Sequence, residues 1–467
     1  MTADGVAAAV EDYLQQLGAA EGEVRGPRRR PITGQSDARS RLGERLFETL
    51  LPQAVWQEVL DAPRVYLVPH GMLHRVPFEA LVVRSDDEEG PRYVLDEAPP
   101  FVYVQSGSAL LWCHTRRDEQ RRQPSPRRVV ALGDPIYRQV GSVEPAWPDK
   151  GLLVVRVGDG GTGAAAGLAV GDVLVTYDGW AIADRQSLET IVQVVSDAQE
   201  VGERPEVPLQ VVVWRRGDRV VLHVPVGPLG IELATAPPAE AARALGAGEL
   251  PDVVHRGPAA TMYSRLAPLP GTAREVEAIA AAFAKATSHG QQLSPVKLLG
   301  ANATEGRLFA AAQQARYLHL GTHGLVDERE QASYSALALT MPPFAAPGDD
   351  GFLTLLDLFE RWRDRLSGCE LAVLSACRTH RGPLHRDEGV FALSWGLHYA
   401  GCPTVVASLW SVADDSTAEL MADLYARLAR EPSADKLALF TAARKKLRNV
   451  HPEPFHWAPF IYIGDPR

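Results

Sequence analysis

The chain has 467 residues, of which 46% are hydrophobic and 23% charged, with a formal net charge of −10. That length allows two or three domains, and the negative balance argues against nucleic acid as the main partner, since a phosphate-binding surface needs excess Lys and Arg. No apolar run reaches 18 residues, and the four cysteines (113, 369, 377 and 402) show no CxxC spacing, so neither a helical membrane span nor a disulfide or Cys-rich zinc framework is expected. The first twenty residues carry acids and no basic start, unlike a signal peptide, and the expected location is cytoplasmic.

Residues 1–35 open with an amphipathic stretch (Val6, Val10, Tyr13, Leu14, Leu17) and continue as a Gly/Pro/Arg-rich linker. Two basic runs, RGPRRRP (25–31) and RRQPSPRR (121–128), contain proline and lack aromatics, and read as solvated linkers. From residue 36 to 138 the pattern is helix (RLGERLFETLL), strand (RVYLVPH, 64–70) and a further strand (RRVVALGDP, 127–135). After residue 266 it resumes with ARYLHLGTHG (315–324), SALALT (335–340), ELAVLSAC (370–377), PTVVASLW (403–410) and PFIYIG (459–464). Strands this apolar on both faces predict an α/β sandwich whose mostly parallel sheet is covered by helices on each side. In GTAREVEAIAAAF, Thr272 and Glu275 have capping-box spacing, and Gly401 is placed to stop the helix FALSWGLHYA.

The block 146–236 breaks this alternation. GLLVVRV (151–157), GDVLVTYDG (171–179) and LQVVVWRRGDRVVLHVPVG (209–227) are short strands bounded by Gly and Asp turns, with one helical stretch, SLETIVQVV (187–195). This predicts a small β-rich module inserted in the larger α/β domain, with 237–265 as the return linker.

Reactive groups in an open parallel sheet collect beyond the carboxyl ends of the strands. Two strands end there on reactive residues: YLHLGTHG on His323, followed by Gly324, and ELAVLSAC on Cys377, 54 residues later. An imidazole beside a thiol raises its thiolate fraction or protonates a leaving amine. The backbone N–H groups of Gly324 and Cys377 are candidates to hold a developing oxyanion. Spacing leaves two other readings open. Free cysteine is often simply buried, as read for Cys369 and Cys402, and His319 suits a core or supporting position. A metal site from His319, His323, His380 and His385 lacks the paired ligand spacing of known motifs. No metal or cofactor is therefore expected.

Beyond spacing, the stretches LVPHGMLHRVPFEALV (67–82), ALGDPIY, LPGTAREVEAIAAAF, YLHLGTHG, ELAVLSACRT, DEGVFALSWGLHYAGCPTVVASLWSVADDST and HWAPFIYIGD occur in this order. Together they resemble the CHAT domain, the bacterial peptidase family related to caspases and separases. The resemblance implies a caspase-like fold, a His323–Cys377 catalytic dyad, a protein substrate, and a place in regulated proteolysis such as bacterial defence or cell death. The cysteine motif reads SACRT where caspases carry QACRG. Within the insert, GDGGTGAAAGLAVGDVLVTYDGWAI (158–182) resembles a bacterial PDZ domain, a module that adds a partner's C-terminus as a strand and holds its carboxylate on backbone amides. The carboxylate-loop pattern is missing before 151 and occurs instead in GPLGIEL (227–233), which assigns the cradle to Leu229, Gly230 and Ile231 in a permuted module.

The sequence thus predicts a cysteine endopeptidase whose insert reads a partner or substrate C-terminus. The alternative is a non-catalytic adaptor that assembles partners through the insert. Acidic residues after the two strand ends, Asp387 and Glu388, and Asp414 and Asp415, are candidates to line a specificity pocket for a basic residue, or else to cap the helices that follow.

Overall fold

The computed structural model describes residues 3–18, 35–86, 90–122, 126, 128–137, 147–158, 161–200, 207–215, 218–225, 229–241, 266–285, 293–325, 335–341, 350–378, 389–410 and 414–467. The chain divides into two compact units. The first comprises Met1–Tyr137, Leu266–Met341 and Asp349–Arg467, and the second Arg138–Arg265 and Pro342–Gly348.

Before the insert lie strands β1 (Val65–Leu67), β2 (Val82–Asp86), β3 (Gly90–Tyr93), β4 (Phe101–Tyr103) and β5 (Arg128–Pro135). The insert contributes β6 (Leu152–Val157), β7 (Val173–Tyr177), β8 (Trp180–Ala181), β9 (Leu209–Arg215), β10 (Asp218–Val224) and β11 (Ile231–Leu233). After it come β12 (Ser294–Gly300), β13 (Ala315–Leu320), β14 (His323–Leu325), β15 (Ala336–Ala338) and β16 (Phe352–Thr354). The last are β17 (Leu371–Leu374), β18 (Cys377–Arg378), β19 (Thr404–Ser408) and β20 (Phe460–Gly464).

The first unit is built on an eight-stranded sheet in the order β1-β4-β20-β19-β17-β13-β5-β12. Its pairings are parallel except at β19–β20, where the PFIYIG strand runs back against its neighbour. Every residue of β13, β17, β19 and β20 is buried, which requires cover on both faces of the sheet. Part of that cover comes from helices Pro270–Lys285 and Asp414–Arg430, where Phe283 meets Tyr317 of β13 and Tyr425 at ring-centroid distances of 5.9 and 6.3 Å. The N-terminal helix Ala3–Gln16 also joins this core, with Val10, Tyr13 and Leu14 buried. The result is the α/β sandwich with a mostly parallel sheet that the apolar runs imply.

Two local expectations change. SALALT is not a central strand: β15 lies in a separate four-stranded sheet, β16-β15-β14-β18, where it pairs antiparallel with β14 and β16. Thr272 and Glu275 do not form a capping box. The helix already starts at Pro270, a residue suited to a first turn because it lacks the N–H that has no partner there. Thr272 Oγ1 instead donates to the Leu269 carbonyl (2.8 Å) and accepts from the Asp134 amide (2.7 Å). This ties the helix start to the end of β5.

The second unit is an antiparallel sheet in the order β10-β9-β7-β6-β11, with β8 hairpinned on β7 through Asp178 and Gly179, both at positive φ. Helix Arg185–Glu200 supplies Leu188 and Val195 to its own core of Leu152, Val154, Leu174, Val211 and Val213. The buried Asp172 carboxylate is gripped at both oxygens by Arg215, at 2.6 and 2.7 Å.

Close approach of helix to sheet depends on Gly133, where an added Cβ would stand 2.6 Å from the Thr272 carbonyl oxygen. Gly133→Ala is expected to destabilise the first unit by about 1–3 kcal/mol, the usual range for overpacking. A urea midpoint unchanged from the parent would show that the helix start is not held this tightly.

Candidate active site

The two strands carrying the candidate residues arrive side by side. β13 and β17 pair in parallel from Tyr317↔Leu371 to Leu320↔Leu374. Gly321–Thr322 and Ser375–Ala376 then carry the chains out of the large sheet into β14 and β18, which also pair in parallel, with His323↔Cys377 and Gly324↔Arg378 as partners. The register is the same in both sheets. His323 and Cys377, the latter placed by its backbone, are thus opposite one another just beyond the carboxyl ends of adjacent central strands.

His323 is 6% exposed, and three chain segments hold it. Its Nε2 lies 2.8 Å from the Ala267 carbonyl oxygen, an acceptor, so that nitrogen carries the proton and donates. The Nδ1 atom is then the basic nitrogen of the neutral ring. The His323 amide donates to the Tyr137 hydroxyl at 3.3 Å, and the Tyr137 and His323 rings lie 5.0 Å apart. Tyr137 also bonds Thr322 Oγ1 at 2.9 Å, and Thr322 in turn donates to the Ala338 carbonyl of β15. One layer behind, on β13, buried His319 has its Nε2 3.0 Å from Glu275 Oε2 of the Pro270–Lys285 helix. Neither Ala267 nor the Glu275–His319 contact was foreseeable: one is a backbone group, and the other joins residues far apart in the chain. Tyr137 does stand in the quoted ALGDPIY stretch.

The remaining candidates scatter. Asp387, Glu388, His380 and His385 lie outside the described residues. Asp414 opens the Asp414–Arg430 helix, and exposed Asp415 pairs with Arg274 at 2.7 Å. In the second unit, Leu229 and Gly230 precede β11, which begins at Ile231. The Leu229 and Gly230 carbonyls accept from the Gly163 and Gly158 amides, at 3.1 and 2.8 Å. Gly230 has φ +66 and leaves no room for a Cβ, which would stand 2.7 Å from Gly161 Cα. The glycines of GDGGTG thus fix this turn from below. Among the described residues, no group of three His, Cys, Asp or Glu side chains is placed to hold a metal ion.

The other three cysteines are buried. Burial pushes the Cys113 and Cys369 thiols well above their ordinary range. Cys369 and Cys402 are neighbours whose sulfurs face the Leu371 and Thr404 carbonyls at 3.4 and 3.1 Å.

A caspase-like sandwich with histidine and cysteine at adjacent strand ends defines a class of protein, the caspase-related peptidases and their kin. Within that class the CHAT domain model matches residues 40–465, and the chain belongs to the CHAT domain family. No curated protein matches it significantly.

Native-state labelling with iodoacetamide should spare Cys113, Cys369 and Cys402 until the chain is unfolded, because the thiolate is the reacting form and burial disfavours it. Peptide mass mapping of the folded protein reads this directly. Modification of any of the three at the rate of a free thiol would contradict their burial.

Proposed function

We propose that the chain is a cysteine endopeptidase that cleaves a protein substrate with His323 and Cys377. The carrying observation is the His323↔Cys377 register pairing at the crevice end of β13 and β17. In this reading His323 Nδ1 takes the Cys377 thiol proton, and the thiolate attacks the scissile carbonyl carbon. The resulting oxyanion is held by backbone amides, those of Gly324 and Cys377 being the candidates. His323 returns the proton to the departing amine, and water then hydrolyses the thioester. The Ala267 carbonyl supports the sequence by fixing the ring tautomer and stabilising the imidazolium, the role an orienting acceptor plays in other nucleophile–histidine pairs.

Cys377→Ala and His323→Ala should each reduce peptide cleavage to under about 1% with unchanged thermal stability, since losing a nucleophile or its base costs several orders of magnitude. A blocked peptide library read by mass spectrometry supplies the substrate. Activity surviving in Cys377→Ala, or lost in Cys369→Ala with normal stability, would refute the assignment. The same library reports any preference for basic residues before the cut, the outcome expected if Asp387, Glu388, Asp414 or Asp415 lines the specificity pocket.

We further propose that the inserted unit is a PDZ-like module that couples C-terminus recognition to cleavage. A specific pair of contacts favours coupling. Tyr137 is the last residue before the insert and Ala267 the second after it, and both touch His323. Tension on either connection acts directly on the imidazole. A peptide ending in a free carboxylate, seated on the turn at Leu229, Gly230 and Ile231, should bind the full-length protein at least about tenfold more tightly than its C-terminal amide, because a charge-assisted contact is lost. It should also change the cleavage rate of a separate substrate. Equal affinity for acid and amide would remove the carboxylate cradle, and an unchanged rate at saturation would remove the coupling.

A further inference from the structure

A pocket of about 420 Å³ lies at the amino ends of β13 and β17, on the side of the sheet away from His323 and Cys377. Its walls carry six cationic side chains: Arg64, Arg117, Arg121, Arg316, Lys436 and Arg467. Only two side-chain carboxylates line it, Glu370 and Asp435, with the main-chain carboxylate of Arg467 beside them. Arg467 is neutralised from outside by Asp465 at 2.7 Å and Asp118 at 3.3 Å. Five cations therefore face three carboxylates.

Glu370 is shared by Lys436 (2.8 Å), Arg316 (3.0 Å) and Arg117 (3.6 Å), and these four residues are 3–8% exposed. Two further oxygens take up donors: the Pro432 carbonyl accepts from Arg316, and the main-chain carboxylate of Arg467, the last residue, accepts from Arg117 and offsets its charge. Three buried cations around Glu370 and the terminal carboxylate leave one positive charge uncompensated, a costly arrangement inside a protein. Burial lowers the Lys436 ammonium from its ordinary range, and Arg117 and Arg316 add to the shift while Glu370 opposes it. At the rim, Asp435 stands 3.7 Å from Arg64, and exposed Arg121 makes no ion pair among the described residues.

We propose that this pocket binds a small molecule bearing several phosphate groups. Guanidinium forks match phosphate oxygens two at a time, and five of the six cationic lining residues are arginines. The hydroxyl of Ser433 adds a donor of the kind that holds phosphate. No lining residue is aromatic, so the pocket offers no aromatic platform to a nucleobase, and the chemistry favours a base-free polyphosphorylated ligand. The volume falls in the range of small-molecule sites. The occupant would bridge Arg316 of β13 to the residues gathered around Glu370 at the head of β17, the two strands that end at the candidate dyad.

The probe is inorganic tripolyphosphate, titrated calorimetrically into the full-length protein at low ionic strength. Saturable binding to one site is expected, with affinity falling as salt rises. Arg121→Glu and Arg64→Glu should each weaken it at least about tenfold, since each reverses a charge within a few ångströms of the anion. Both positions are at the rim, so the core ion pairs and the fold are retained. Arg45→Glu makes the same charge change on an exposed helix elsewhere and should alter binding less than about twofold. Absence of saturable binding, or equal weakening by Arg45→Glu, would overturn the site. Citrate binding as tightly as tripolyphosphate would overturn the phosphate assignment.

Discussion

The parallel register of β13 against β17 is the constraint on which the rest of the site depends. A strand that slips by one residue turns every side chain to the opposite face. Both strands are buried at every position, so no slip can leave the core intact. The same register continues without a shift into β14 and β18, and this brings His323 opposite Cys377. At the other end it is fixed by the Glu370 amide on the Arg316 carbonyl (2.8 Å) and by the Arg316–Glu370 ion pair. One alignment therefore joins a charged pocket at the heads of the two strands to a histidine–cysteine pair at their tails.

A second element sets the depth of the crevice. The start of the Pro270–Lys285 helix presses on the ends of β5 and β13 because Gly133 and Gly321 offer no side chain to keep it away. Thr272 then bonds the Asp134 amide, and Glu275 reaches His319. Packing this close transmits small displacements, since protein interiors are dense and yield little. It also explains how a large insert is tolerated at this point. The chain leaves just after β5 and returns just before the helix, yet β5 still pairs with β12 on one side and β13 on the other. The sheet is completed around the interruption.

The consequence is that the two points where the insert joins the first unit flank the histidine. Tyr137 supports its backbone and Ala267 its ring. A histidine held by its own strand alone would be insulated from the insert. Here the ring's acceptor is a main-chain carbonyl, that of Ala267, two residues after the second unit ends at Arg265.

The amino-acid sequence by itself determined the central strands, since residues apolar on both faces can be stable only inside a sheet covered on each side. It also placed His323 and Cys377 at strand ends, because each apolar run stops there, and it marked the insert by its change to short strands and Gly/Asp turns. Tertiary structure alone decided the direction of β20, the transfer of SALALT to a second sheet, and the use of Glu275 against His319 instead of as a cap. It alone revealed Ala267, whose carbonyl carries no side-chain signature. It also turned Arg121, which opens the RRQPSPRR run that reads as solvated linker, into part of a cationic pocket. Strand character is written in local periodicity. Pairing partners, backbone acceptors and the gathering of charges from distant segments arise only when the chain closes on itself, because their free energies depend on neighbours that local sequence does not contain.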